Sequence, residues 1–433
     1  MSKIDAMIQE LCPNGVELTR LGNICKRVVS GGTPKAGIVE YYGGNIPWLR
    51  TQEVDWNDIY DVSIKITEEG LKNSSAKWIP KNCVIVAMYG ATAGKVAINK
   101  IELTTNQACC NLEINPSKAL YRYVYHWLCK SYLKLKSLGQ GTQSNLNAQM
   151  IKDFPIPLPP LEIQREIVRV LDAFTELTTE LTTELTRRKR QYEYYRDKLL
   201  SFDPGVSELR RLGEIATLTR GGNFQKKDFR ASGRPCIHYG QIHTHYGVWT
   251  EEVISYLESE TWESSKKARP GDVVMATTSE NVEDVCKAVA WLGKEEIAVS
   301  GHTTVIHHNQ NPKYLAYYFQ SELFRQQKIK LAHGTKVIEV TPSDLEGVVI
   351  PIPSLRTQER LVRVLDNFDA ICQDLEIGLP AEISARKKQY EYYRDQLLNF
   401  AQFGAINSLT HSLTHSLTHS LTHSLTHSTT STD

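Results

Sequence analysis

The chain is written twice, and that duplication limits its fold more than any other feature. QYEYYRDKLLSF at 191–202 returns as QYEYYRDQLLNF at 389–400, an offset of 198 residues (389 − 191). Upstream, IPLPPLEIQREIVRVLDAF at 156–174 returns as VIPIPSLRTQERLVRVLDNF at 349–368. There Val170-Leu171-Asp172 matches Val364-Leu365-Asp366 at an offset of 194 (364 − 170). Arg20-Leu21-Gly22 and Gly31-Gly32 correspond to Arg211-Leu212-Gly213 and Gly221-Gly222, and Gly141-Thr142 to Gly334-Thr335. Between the shared segments, residues 30–140 and 220–333 agree in outline but rarely residue for residue. A chain of 433 residues is too long for one typical core, so two homologous modules related by a pseudo-two-fold axis are expected. Such symmetry suits a target with two half-sites.

The shared segments read as helices. Proline fits only the first helical turn, so IPLPP and IPIPS end extended stretches and begin helices. Apolar residues follow at Ile163, Ile167, Val170, Phe174, Leu177, Leu181, Leu185, Tyr192, Tyr195, Leu199 and Phe202, in steps that bury one helical stripe. The second copy shows Leu361, Val364, Leu365, Phe368, Ile371 and Leu375, is interrupted at Gly378-Leu379-Pro380, and resumes at Ile383, Tyr390, Tyr393, Leu397 and Phe400. Two such stripes are expected to pack as an antiparallel coiled coil. Within the first lies TELTTELTTELT, Thr175 to Thr186. Each four-residue unit keeps one leucine on the stripe, and a coiled coil absorbs such a stutter by local unwinding. One unit adds about 6 Å of helix, between one and two base pairs of duplex at ~3.4 Å each. The tract is a length-setting spacer or a neutral relic of repeat slippage.

The duplicated proline-then-helix segments, the paired QYEYYRD endings and the opening SGGTP…IPW (Ser30–Pro34, Ile46–Trp48) together resemble the specificity subunit of type I restriction-modification systems, over about residues 10–403. The resemblance implies an α+β fold: two homologous target-recognition domains with mixed β-sheet, separated by two long helices. The expected boundaries are a first recognition domain at 1–155, a central spacer helix at 156–202 and a second recognition domain at 203–348. A C-terminal spacer helix at 349–403 and a tail at 404–433 follow. It implies binding to double-stranded DNA at a bipartite asymmetric site, one half-site per domain, with the helices setting the gap. It further implies two methyltransferase subunits as partners, joined by restriction subunits, in the cytoplasm. No cofactor is expected in this chain, whereas S-adenosylmethionine, ATP and Mg2+ belong with the partners.

Catalytic motifs fail on inspection. Asn311-Pro312-Lys313-Tyr314 has Lys where a base-holding methyltransferase loop needs a second proline, and no glycine-rich cofactor loop precedes it. Gly90 to Val96, GATAGKV, is one residue short of a phosphate loop, and Val96 replaces the magnesium-binding hydroxyl. His243 and His245, or His302, His307 and His308, lack a cysteine or acidic partner at metal-ligand spacing. Asp272 and Glu283-Asp284 lack the lysine of a nuclease site. The alternatives are a self-contained methyltransferase or nuclease and a coiled-coil scaffold that binds only proteins.

Base edges are read by Arg, Lys, Asn and Gln, and phosphates by cations, hydroxyls and amides. The loops SGGTPK, LRTQ, YGATAGK, TTNQ and GQGTQSN supply Lys35, Arg50, Gln52, Lys95, Gln107 and Gln143 as candidates in the first domain. TRGGNFQKK, HYGQIHTH, TTSEN, SGHTT and HGTK supply Arg220, Lys226, Lys227, Gln241, Asn281 and Lys336 in the second. On the helices, Leu177, Leu181, Leu185, Tyr192, Tyr195, Tyr390 and Tyr393 are candidates for helix or partner packing. Arg187 and Arg188 begin a basic run that lines DNA, docks partner helices or is a solvated face. The net charge of +1 leaves any basic surface local. The nine scattered cysteines read as buried free thiols. The tail, five copies of SLTH from Ser408, has the low complexity of a disordered segment.

Overall fold

In the computed structural model, which describes residues 3–139, 145–202, 207–222, 224–373 and 378–400, each half of the sequence builds a two-stranded ribbon, a five-stranded sheet and a smaller mixed sheet, of three strands in the first half and four in the second, and the second half adds the pair Thr278–Ser279 with Ile338–Glu339. The chain forms two units, Met1–Thr179 with Ser384–Asp433, and Glu180–Ile383. Gln143, Leu375 and the SLTH tail lie outside the described residues.

In the first unit a five-stranded sheet runs in the order Cys25–Ser30, Cys109–Ile114, Val84–Ala87, Val96–Asn99, Asp58–Ile59. Only the last pairing is parallel. Val84–Ala87 and Val96–Asn99 are buried along their whole length, as expected of apolar strands covered on both faces. A second sheet pairs Tyr42–Leu49 antiparallel with Lys65–Ile66 and parallel with Thr104–Thr105. In the second unit the corresponding five strands are Ala216–Arg220, Thr303–His308, Val273–Ala276, Lys287–Trp291 and Trp249–Thr250, again with only the last pair parallel. Its smaller sheet again has one parallel pairing, Arg234–Ile237 beside Ile297–Val299. The repeated double glycine has a steric cause. A Cβ on Gly31 would sit 2.0 Å from the Thr105 carbonyl oxygen, and one on Gly221 2.1 Å from that of Ser300.

The proline segments explain why the shared sequence is shared. Pro155–Pro157 pairs antiparallel with Leu18–Arg20, and Val349–Ile352 with Glu208–Arg211. Behind each strand a helix is latched by the same contacts, Tyr121–Lys130 in one unit and Pro312–Tyr318 in the other. Tyr123 Oη donates to the Pro157 carbonyl at 2.8 Å, and Tyr314 Oη to that of Pro351 at 2.6 Å. Gln164 and Gln358 are both fully buried. Gln164 Oε1 accepts the Leu120 amide and its Nε2 donates to Pro159 O; Gln358 Oε1 accepts the Asn311 amide and its Nε2 donates to Pro353 O. Asp172 receives Arg122 and His126, while Asp366 receives Lys313 and Tyr317.

The proline segments open onto helices Leu161–Leu200 and Leu355–Gln373, and a third helix spans Leu379–Leu397. The 40 residues of Leu161–Leu200 include all three TELT units without a break. Ile163, Ile167, Leu171 and Phe174 are buried, whereas Leu177, Leu181 and Leu185 are half-buried. Threonines within the tract bond back along the helix, as Thr178 Oγ1 does to Phe174 O at 2.8 Å. In the first unit Phe174 stacks on Tyr393. In the second, Arg188 and Lys189 lie near Cys372, Tyr192 faces Asp369 and Cys372, and Tyr195 stacks on Phe368. Within the second unit, partners fall from Cys372 to Phe368 as the first helix rises from Arg188 to Tyr195, so these two helices run antiparallel as expected. The expected stripe of the second copy needs correction. Leu361, Leu365 and Cys372 are buried, with Phe368 partly so, while Val364 and Ile371 are 38% and 44% exposed. Both registers satisfy helical spacing, and the thiol of Cys372 serves as the apolar group.

Burial lowers the pKa of His238 from 6.5 to about 4, aided by the Lys226 charge; burial likewise lowers His308 to about 4. Below pH 6.5 the unfolded chain takes up protons that these folded histidines refuse, so stability falls with pH until about 4. Lowering the pH from 7 to about 5 is expected to cost the second unit about 2 kcal/mol per histidine. Denaturant titrations at the two pH values check this, and replacing His308 with Gln should remove about half of the loss.

Candidate nucleic-acid interface

In each unit loops that follow strands of both sheets are tied together by hydrogen bonds. In the first, Thr33 Oγ1 bonds Gln107 Oε1, the Asn106 amide donates to Leu49 O at 2.9 Å, and Thr92 Oγ1 donates to Thr51 O at 2.9 Å. Those contacts draw together the Gly31-Gly32 loop, the turn Thr51–Glu53, the Asn106-Gln107 loop and the Gly90–Lys95 loop. In the second unit Arg220 Nε donates to Gly301 O at 3.2 Å, and the Tyr239 amide to Ser300 Oγ at 2.9 Å. The Tyr239 ring lies 4.5 Å from that of His238 and 4.9 Å from that of His302. His243 Nε2 is 3.2 Å from Thr278 O, and the Lys226 stem rests 3.7 Å from the Cβ position of Gly240.

Most of the candidates fall at or beside these clusters, in differing states. Lys35, Gln52, Lys226, Lys227 and Lys336 are exposed. Lys95 is held by Asp55 at 2.6 Å and lies over the Trp56 ring at 4.5 Å. Arg220 pairs with Glu339 at 3.0 Å, and Asn281 is bonded to Asp284. Gln107 is exposed and tied to Thr33. Gln241 points inward instead. It is 8% exposed, accepts the His238 amide and donates to Ser255 Oγ, so its side chain braces the loop. On the helices Arg187 and Arg188 both clasp Glu184. Tyr192 is buried, and Tyr390 bonds His126 at 2.9 Å.

Sequence reasoning passed over Trp56. It is 40% exposed, packs edge-on against Tyr132, and adopts φ of 51°, a conformation that a bulky residue rarely holds. A tryptophan inside the polar stretch EVDWND was the available signal. Asn106, in the same TTNQ loop as Gln107, also escaped.

The rejected catalytic motifs have structural duties. Asn311 caps its helix by accepting the Tyr314 amide, and Lys313 is paired with Asp366. Asp272 is buried against His307 and the Arg269 amide. Among the described residues no group of three or more His, Cys, Asp or Glu side chains is arranged to hold a metal, and no helix is long and apolar enough to cross a membrane.

Two copies of one α+β scaffold, each offering a polar loop cluster and joined through long helices, define a paired sequence reader. The type I restriction modification DNA specificity domain matches the chain twice, at 13–188 and 204–385, and the chain belongs to that family. Among its relatives, the EcoR124I/EcoR124II specificity subunit of Escherichia coli is 34% identical over 66% of this chain and 72% of its own length. A putative type I restriction enzyme specificity subunit of Haemophilus influenzae is 28% identical over 89% and 94%. A chain from a type I restriction-modification system matches in fold with TM-score 0.58 at 18% identity, over 89% of this chain and 98% of its own. The specificity subunit from M. genitalium gives 0.52 at 14%, over 89% and 97%. The chain is thus a DNA specificity subunit, the non-catalytic part of a type I restriction-modification complex.

Proposed function

We propose that each module grips one half of a bipartite duplex site through its loop cluster, and that the helices fix the gap between halves. The observation carrying this reading is the double family match laid over two sheets of identical strand order. Lys35, Arg50, Gln52, Lys95 and Gln107 contact DNA from the first module, and Arg220, Lys226, Lys227, Asn281 and Lys336 from the second. The helices present their surfaces to two methyltransferase subunits, which restriction subunits then join in the cytoplasm. S-adenosylmethionine, ATP and Mg2+ act in those partners. Modules bounded near 1–155 and 203–348 are the recognition domains, and 156–202 and 349–403 the spacers.

Replacing Lys226 and Lys227 with alanine tests the interface. Each lost phosphate contact lowers the slope of log affinity against log salt by about 0.9, so the double variant should lose nearly two while keeping its preferred sequence. Fluorescence anisotropy of the complex with the methyltransferase subunits, measured across a salt series, gives that slope. An unchanged slope removes these lysines from the interface, and salt-insensitive binding by the unaltered complex would favour a protein-only scaffold.

A further inference from the structure

The two modules carry the same backbone frame at one pair of positions and fill it differently. Parallel pairing sets Trp48 beside Thr104 and Leu49 beside Thr105, so Arg50 and Asn106 leave the ladder as neighbours. In the second module Cys236 pairs with Ala298 and Ile237 with Val299, and His238 and Ser300 leave as neighbours. The flanking bonds agree. Asn106 N donates to Leu49 O at 2.9 Å and Ser300 N to Ile237 O at 3.2 Å, while Glu53 N donates to Arg50 O at 3.0 Å and Gln241 N to His238 O at 2.8 Å.

In the second module the pair is satisfied. His238 Nδ1 accepts the Gly240 amide, and Ser300 Oγ accepts the Tyr239 amide. In the first it is not. Arg50 Nε, Asn106 Oδ1 and Glu53 Oε1 are buried with no hydrogen-bond partner among the described residues. Glu53 would ordinarily neutralise a nearby guanidinium, yet its other oxygen holds the Ser63 amide, and Arg50 forms no ion pair among the described residues. Desolvated donors and acceptors left unpaired are unfavourable, so each calls for a physical reason, and a ligand that completes them is one. A guanidinium fork matches the O6 and N7 acceptors of guanine in the major groove.

Resting on the bipartite reading above, we propose that Arg50, with Asn106 beside it, reads a guanine in the half-site of the first module. The equivalent His238 and Ser300 give the second module a different preference at that place. The test is selection of bound duplexes from a randomised library by the complex with methyltransferase subunits. It compares the unaltered chain with Arg50→Ala and with Arg50→Lys, which keeps the charge but loses the fork. The unaltered chain should select a G·C pair at one position of one half-site. Both variants should lose roughly ten- to a hundredfold of preference there, with the other half-site and the gap unchanged. Should the alanine variant fold poorly by thermal midpoint, the lysine variant alone decides. Retained preference at every position, or uniform weakening on all sequences as a phosphate contact gives, overturns the assignment. If the unaltered chain selects no bipartite site, the broader reading fails with it; if it does and only the variants disagree, this assignment alone falls.

Discussion

Deleting Thr179–Thr182, one TELT unit, is expected to shorten the preferred gap between half-sites by one to two base pairs while leaving both half-sites unchanged. The tract lies wholly within the helix Leu161–Leu200, so removing four residues keeps the leucine spacing and takes out about 6 Å of rise. Leu177, Leu181 and Leu185 are equivalent by sequence and all half-buried, so the shortened helix offers the same face. Binding to a series of duplexes that differ only in gap length measures the shift. The same optimum for both proteins would leave the tract as a relic of slippage.

Replacing Asp172 with alanine is expected to destabilise the first unit by about 3 kcal/mol, the low end for breaking a buried charge pair because Asp172 is 35% exposed. Arg122 reaches Asp172 with Nε at 2.9 Å and Nη2 at 2.6 Å, and His126 Nε2 lies 2.7 Å away. Burial works against the carboxylate, but bonds from His126 and Arg122 hold its pKa below the usual range. The substitution would leave Arg122, at 13% exposure, with Asp58 as its one ion-pair partner among the described residues, and the fully buried His126 with Tyr390 as its one hydrogen-bond partner among them. At about 2–4 °C per kcal/mol for a unit of this size, the melting midpoint should fall by roughly 6–12 °C. A fall under about 2 °C in thermal denaturation would show that the network contributes little.

The repeat made much of this architecture legible. Once 156–174 is matched to 349–368, the latches of Gln164 and Gln358 and the acceptors Asp172 and Asp366 fall at equivalent places. The loop clusters were legible as loops rich in amides and cations. Which members face outward was not. Gln241 satisfies the same description as Gln52, yet it turns inward because Ser255 and the His238 amide complete its hydrogen bonds across the fold. Helical spacing could not choose between Val364 and Cys372, since both fit and only packing decides. The orphaned atoms at Arg50 and Asn106 needed coordinates, because an unmet hydrogen bond leaves no trace in sequence.

The most direct measurement is genome-wide mapping of methylated motifs in cells expressing this chain with its partner subunits. The account expects one asymmetric motif with two short specified halves separated by a fixed unspecified gap, lost entirely when the chain is absent. A continuous motif without a gap, or the same motif in cells lacking this chain, would contradict it.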